Sequence, residues 1–540
     1  MPEKIYMDGF TGGDGVDRYC RDLDARGDIA DIKSYIGYDD NTVAGLDADF
    51  ENKVFSRLAG AVGRNGGADF NVFSTYAGMR RCNLSDAGVV NAYYGDTGYT
   101  EDGSNGQVMV EVPKFYYKVV PIKLQAQGWD DYEAVDWVSG TSYAVGRVVI
   151  YDEAYYACIT ANSDEEFTPA KWHEIDEMGL MGYHLLHAKY YISSEMRDGF
   201  KVHPAFVIKG AVAPQATTRD YVYISAYEGI LYDVSESAYL LNDEQVADVT
   251  ATTGDKLSSI AGVYERSYTY YDKATDQNVT ITVNAGPKPA SGETASNNLT
   301  RPKCTILAVN RGAGWRQQTI EIVSAIQLLY AVEYASFNWQ NNGAGITSIT
   351  DDGKTNCASF IGSTSALGNT SGNASATIDH TGTSRTTAGT LATSYRGIEN
   401  FFGNLWKFVD GMNIYGAYNN GGGQPYICTD DVFTEDKHAD NYEGVGFTTA
   451  NLSGTYIRYF GYGDEKYDWL FVTSKTGHGA NSSLPVGDYT YVTPNLNGHH
   501  IACLSGNWHN ATNAGSCCWT LSRSSGSRDR NCGGRLAYAG

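Results

Sequence analysis

Between Gly506 and Leu536 a regular frame recurs: Gly506-Asn507-Trp508, Asn513-Ala514-Gly515, Trp519, Leu521, and then Gly533-Gly534-Arg535-Leu536. Between these stand His509, Thr512, Cys517, Cys518, Thr520, Ser522, Arg523, Arg528, Asp529, Arg530 and Cys532. No packing rule or reaction mechanism selects that mixture. A segment whose bulky and turn residues are ordered while its filling is arbitrary has to be held by a scaffold, and a scaffolded but chemically unconstrained surface is suited to recognition. On this reading Trp508, Trp519, Gly534 and Arg535 hold the frame, and the eleven filling residues face a ligand.

Composition agrees with an ordered, loop-rich, β-dominated protein: aromatics are 13%, with 41 Tyr and 61 Gly against only 12 Pro. Tyr and Thr favour pleated surfaces and Gly supplies turns. The 540 residues exceed the size at which one core stops growing, so about two to four domains are expected. A net charge of -23 excludes a general nucleic-acid binder, which needs a basic footprint. The segment 501–540 departs from this balance with four Arg and one Asp, which either suits an anionic or polar partner or is simply the current content of the filling positions.

The N-terminal MPEKIYMDGFTGGDG has no apolar h-region, and no run of about 18 apolar residues occurs, so neither export nor membrane insertion is expected. Ten Cys without CxxC or Cys/His metal spacing imply free thiols, no metal and no cofactor.

Along the chain, 17–36 and 47–62 read as helices, with Ile29, Ile32 and Ile36 at seam-like spacing. Residues 1–62 are thus expected to be a helical assembly region. Short strands between Gly/Asp/Asn turns follow over 63–127. A small β module is expected at 128–178 and one large domain at 179–540. Within that domain the strongest helix is 317–337, whose Ile322, Ile326, Leu329, Tyr330, Tyr334 and Phe337 predict a single buried stripe. Residues 286–298 read as a loop, and the Thr/Ser/Gly/Ala-rich 343–394 as an irregular insertion or short exposed strands. His184, His187 and His203 show no triad spacing and read as core or surface residues. The fold class expected is α+β and β-rich.

The terminal frame and filling resemble the variable region of diversity-generating retroelement target proteins, which belongs to a C-type-lectin-like fold and is rewritten at adenines. An Asn codon altered at its adenines reaches Ser, Asp, Gly, His, Arg, Cys, Thr, Tyr or Ala but not Lys, Glu, Gln, Met or Trp, and every filling residue lies in the reachable set. YRGIENFFGNLWKFVDGMNI resembles the GNxWEWxxD signature shared with formylglycine-generating enzymes, carried by Gly403, Asn404, Trp406, Phe408 and Asp410, with Lys407 at the acidic position. The resemblance implies that Trp406 and Asp410 are scaffold. GMRRCNL through KFYYKVV, and YYISSEMRDGFKVHPAF, resemble phage tail-fibre proteins. The segment between them resembles family 5/12 carbohydrate-binding modules through Trp137, Tyr143, Gly146, Val148, Val149, Tyr156 and Trp172. That family's exposed tandem aromatics are replaced by Ala157, Cys158, Ile159 and Thr160, so Trp137, Tyr143, Tyr156 and Trp172 stay open between sugar stacking and core.

These resemblances imply a receptor-binding protein at the tip of a virion tail fibre. It would be made in the bacterial cytoplasm and partnered by other tail proteins and by a host cell-surface protein or glycan. A homo-oligomer, with a trimer as the form considered, would let weak sites act together. The enzyme alternative is a formylglycine-generating-type oxidase, but Cys503, Cys517, Cys518 and Cys532 lack its CSxxYCxRYR context. Lectin-type calcium binding needs EPN or QPD with WND, and Gln424-Pro425-Tyr426 and Gly506-Asn507-Trp508 supply no carboxylate. Binding without catalysis is the reading that remains; the other non-enzymatic alternative is an invariant structural tail component.

Overall fold

The computed structural model describes residues 41–540 except 129–133, 146, 176–181, 244–247, 293–298, 344, 379–390, 418–421, 436, 451–454, 478–484 and 494–495. The helix expected at 17–36, with its isoleucine seam, lies outside the described residues. Residues 47–62, read as a second helix, fall instead in an antiparallel hairpin, Ala44–Asp49 against Val54–Ala59. Leu46 and Ala48 are buried at a spacing of two, and the first strand of the hairpin also pairs with Tyr183–Ser193. Pairing on both edges overrides the helix propensity of Leu and Ala.

The protein is β-rich with few helices. Its largest sheet has 14 strands. Along it run Tyr116–Ala126, Tyr183–Ser193, Thr455–Tyr462, Tyr489–Tyr491, Gly515–Arg523, Asn497–Ser505 and Trp406–Ala417, antiparallel except where Tyr489–Tyr491 meets Gly515–Arg523. A six-stranded sheet runs Trp315–Gln317, Leu536–Tyr538, Tyr221–Ser225, Gln107–Pro113, Arg80–Leu84 and Val90–Tyr93. Both sheets interleave strands from before residue 127 with strands from after 179. The expected boundaries at 62/63 and between 63–127 and 179–540 therefore dissolve: these stretches share one core. The four strands Val135–Asp136, Val148–Tyr151, Ala154–Cys158 and Trp172–Glu174 pair only with one another. They are an excursion from between two strands that pair with each other, Tyr116–Ala126 and Tyr183–Ser193.

The helix expected at 317–337 spans Ile320–Tyr334, and Gln317 belongs to a strand. Its single stripe is corrected: every residue from Ile320 to Glu333 is buried. A helix can be enclosed on all sides only if its polar side chains are answered. Here Glu321 pairs with Lys209 at 2.7 Å, Ser324 donates to the Trp469 carbonyl, Gln327 donates to the Ser516 carbonyl at 2.6 Å, and Glu333 pairs with Arg396 at 2.7 Å. A second helix, Arg301–Val309, starts with a proline in its first turn, where the missing N–H costs nothing.

Part of the 343–394 stretch is a hairpin of Asn373–Thr377 and Leu391–Tyr395. Among its other described residues, Ile346, Ile349, Cys357 and Ala358 are buried and pack in one cluster with Trp508, so the stretch is not exposed throughout. Small side chains let this irregular chain lie flat on the core. Likewise the described part of the expected loop 286–298, residues 286–292, is buried.

His203 is a core residue, between Phe115 and Tyr117 at ring distances of 5.0 and 5.2 Å, and its Nδ1 accepts the Ala205 N–H. Burial, followed by the charge of Lys201, pulls its pKa from 6.5 to about 3. The folded state therefore binds fewer protons than the unfolded one in that window. The stabilisation is complete above pH 6.5 and is lost as pH falls toward 3. His203→Asn, which retains an acceptor but does not titrate, is expected to lower stability overall yet flatten the wild-type fall in melting temperature across that window. Parallel pH profiles for the two proteins would reject this account.

Among the described residues no helix is long and apolar enough to cross a membrane.

Candidate recognition surface

The frame residues are interior. Trp508, Trp519 and Arg535 are completely buried, Trp406 and Asp410 nearly so. The Trp519 indole N–H donates to the Phe471 carbonyl at 2.9 Å. Trp508 is sewn in by its backbone, donating to the Asn404 carbonyl and accepting from Ile349 N–H at 2.7 Å. Arg535 donates to the Ser225, Glu399 and Asn400 carbonyls, at 2.8, 2.6 and 3.1 Å. Gly534 is tightly packed: a Cβ there would stand 3.0 Å from Gln317 Oε1 and 3.1 Å from Cys304 Sγ, so these neighbours would have to give by a few tenths of an ångström. At Gly515 a Cβ would fall about 2 Å from the Asp488 carboxylate.

The signature strand is part of the same support. Gly403 and Asn404 take left-handed backbone at φ 76° and 60°. Asp410 accepts from Thr305 Oγ1 at 2.8 Å and from Gln317 Nε2 at 3.0 Å. Lys407 is buried, pairs with Glu228 at 3.0 Å, and donates to the Gly403 and Leu405 carbonyls. Burial brings its pKa down to about 8, against the opposing pull of Glu228. The buried Lys407 charge is thus answered by a carboxylate from a distant part of the chain.

The filling residues divide. His509, Thr512 and Arg528 are exposed, while Ser522, Arg523, Asp529 and Arg530 are half-buried. Cys517, Cys518, Thr520 and Cys532 are buried, so the expectation that they face a ligand is corrected. The physical reason is that Gly515–Arg523 is an interior strand covered on both faces. Cys517, Trp519 and Leu521 enter one core cluster, while Cys518 enters another with Cys503, Cys532 and Trp406. Burial pushes the Cys503 thiol up to about 11 and that of Cys532 to about 12, and raises those of Cys517 and Cys518 far above 9.0. All nine described cysteines are buried, and none of them forms a disulfide.

The loop 507–513 carries accessible residues between two supports, one acidic and one aromatic. On one side Arg530 grips Asp351 bidentately at 2.5 and 2.7 Å, reaches Asp352 at 3.4 Å, and lies over the Trp508 ring. His509 Nδ1 stands 3.7 Å from Asp351. Burial is the main cause that lowers the His509 pKa, partly offset by Asp351. On the other side Tyr456 donates to Asn513 Oδ1 at 2.8 Å and meets Thr512 at 3.1 Å, and the Tyr491 hydroxyl accepts from Asn510 and Asn513. Tyr489 packs between these tyrosines, 5.1 Å from Tyr456 and 4.8 Å from Tyr491.

Sequence reasoning missed Asp351, Asp352, Tyr456, Tyr489 and Tyr491, although the Tyr489-Thr490-Tyr491 alternation marks a strand with one aromatic face. It also misread the local charge. Arg523 pairs with Asp529, Arg530 is neutralised by Asp351 and Asp352, and Arg535 is buried. Of the four arginines, Arg528 alone makes no ion pair among the described residues. The positive charge of 501–540 is therefore largely answered within the chain and does not single out an anionic partner.

Asp351, Asp352 and Cys357 also bring potential metal-ligand atoms within 4.8 Å of one another. Arg530 already occupies the two carboxylates, and Asp352 further accepts from the Lys354 and Thr355 N–H groups. The arrangement works as an ion-pair anchor for the loop.

In the small four-stranded module, Tyr143 and Trp172 are buried, which corrects their reading as sugar-stacking candidates. Both pack in its core, with ring centroids 5.3 Å apart, because so short a chain needs large side chains to make one. Trp137 and Tyr156 are half-buried. Beside them Tyr151, 37% exposed, stacks on Phe167 at 4.0 Å. No protein-family model and no curated protein sequence matches this chain.

Proposed function

We propose that this chain is a receptor-binding protein of a phage or prophage tail fibre, with a C-type-lectin-like body whose 501–540 segment, diversified by a retroelement, contacts a host-surface protein or glycan. The supporting observation is the separation of frame from filling: Trp508, Trp519 and Arg535 are wholly buried, whereas His509, Thr512, Ser522, Arg523, Arg528, Asp529 and Arg530 remain accessible around one loop and one strand end. A rigid scaffold with adaptable Ser, Thr, Asn, Tyr and Arg contacts follows the physical logic of paratopes. The raised thiols weigh against the oxidase alternative, which needs an accessible thiolate.

A second reading, an invariant structural tail component, draws support from the internal pairing of Arg523 and Arg530. Exchange of residues 501–540 between natural variants separates the two. Under our reading, adhesion preference on whole cells moves with the segment and is unchanged by exchange of 128–178. Preference that stays with the remainder of the chain, or identical residues at 509, 523 and 530 across isolates whose neighbouring genes have drifted, would favour the structural component.

A further inference from the structure

Where the helix Ile320–Tyr334 begins, Lys209, Arg219 and Arg316 line a cavity with Thr319, Glu321 and Asp431; it has room, about 10 Å³, for one water-sized occupant. The hydrogen-bond inventory around it is incomplete. Lys209 Nζ is fully engaged, by Glu321 at 2.7 Å, Asp431 at 3.1 Å and the Cys428 carbonyl at 2.7 Å. Arg316 binds Asp431 at 2.8 Å and the Ala539 carbonyl at 3.2 Å, but its buried Nε has no acceptor. Arg219 donates to the Ala205 carbonyl at 3.3 Å, and its Nε too is buried without an acceptor.

Three cations here face two carboxylates, and both carboxylates are taken by Lys209 and Arg316. The charge left over is that of Arg219, which makes no ion pair among the described residues. Burial and then the like charge of Arg316 lower its pKa, with weaker opposition from Asp431 and Glu321. Thr319 and Glu321 place the first turn of the helix, which no side chain caps, at the cavity wall, where the helix dipole is positive.

We propose that this cavity binds a monatomic anion of the halide class, accepting from the Nε groups of Arg219 and Arg316. The small space suits a monatomic ion better than phosphate, sulfate or a carboxylate. A water molecule would satisfy the two buried Nε donors but leave the half-buried Arg219 charge without a counter-ion, which an anion supplies. The site is independent of the recognition surface and of any reading of it.

The test uses the full chain. At constant ionic strength, replacing sodium gluconate by sodium bromide is expected to raise the melting temperature of the wild type saturably, by about 1–2 °C, and to leave Arg219→Gln unchanged. Crystals of the wild type grown in bromide should show an anomalous peak in the cavity, a readout that does not depend on the variant folding. No anomalous peak, or an equal bromide response in Arg219→Gln, overturns the proposal.

Discussion

Glu333→Ala is expected to destabilise the protein by about 3–5 kcal/mol, the range for breaking a buried ion pair from one side. Glu333 is completely buried and Arg396 nearly so. The carboxylate takes both Nε and Nη2 of Arg396, at 2.8 and 2.7 Å, and also the Tyr395 hydroxyl and the Gly67 N–H, each at 2.8 Å. Removing it strands a guanidinium in the core, with only the Asn71 side chain and the Tyr76 and Gly67 carbonyls left as acceptors. Pairing Glu333→Leu with Arg396→Met removes both charges and is expected to cost clearly less than Glu333→Ala alone. Denaturant unfolding of the three proteins measures this; a loss below about 1 kcal/mol for Glu333→Ala, or a double variant worse than the single, would show that the pair is not what fixes the helix end.

The second large effect concerns the frame. Trp519→Ala is expected to cost about 3–5 kcal/mol, the range for emptying an aromatic core site, because Trp519 is wholly buried and its N–H is bonded to Phe471. Arg528→Ala should change stability by less than about 0.5 kcal/mol, as an exposed side chain without a partner. Cys517 and Cys518 belong with Trp519 rather than with Arg528. Cys517→Arg would force a much larger side chain into a fully buried strand position packed in the core cluster with Trp519 and Leu521. It should therefore destabilise severely, whereas Cys517→Ser or Cys517→Ala should be far milder. Comparable stabilities for Cys517→Arg and Arg528→Ala would mean that Gly515–Arg523 is not an interior strand. If codons at 517, 518, 520 and 532 are open to rewriting, selection for folding should restrict them to small residues while 509, 512, 528 and 530 range freely.

The sequence conveyed the frame well, because Trp508, Trp519, Gly534 and Arg535 are residues with steric or bonding demands that show in their identity. The filling was harder to read, since reachability from one codon type says nothing of burial; cysteine is among the most often buried residues, and position 517 alternates with 518 across a strand covered on both faces. Asp351 and Asp352 were invisible because their partner Arg530 lies far along the chain. The hairpin at 44–59 and the all-round burial of the helix were missed for a related reason: neighbouring strands, not local periodicity, decide which faces are covered. In the small module aromatic identity alone does not separate core from sugar-stacking positions, and Tyr143 and Trp172 are core residues.

The enclosed helix also bears on how the chain reaches its fold. Its polar side chains and carbonyls are met by Arg57, Lys209, Arg396, Trp469 and Ser516, so its environment is gathered from nearly the whole described length. Loop closure must be paid before such distant contacts give anything back. No early portion of the chain contains the set, and an apolar helix made two-thirds of the way along stays uncovered until the strand bearing Ser516 has arrived. During synthesis that helix is the segment most exposed to misassociation, and the strand Gly515–Arg523, among the last to be made, is the one that ends the exposure.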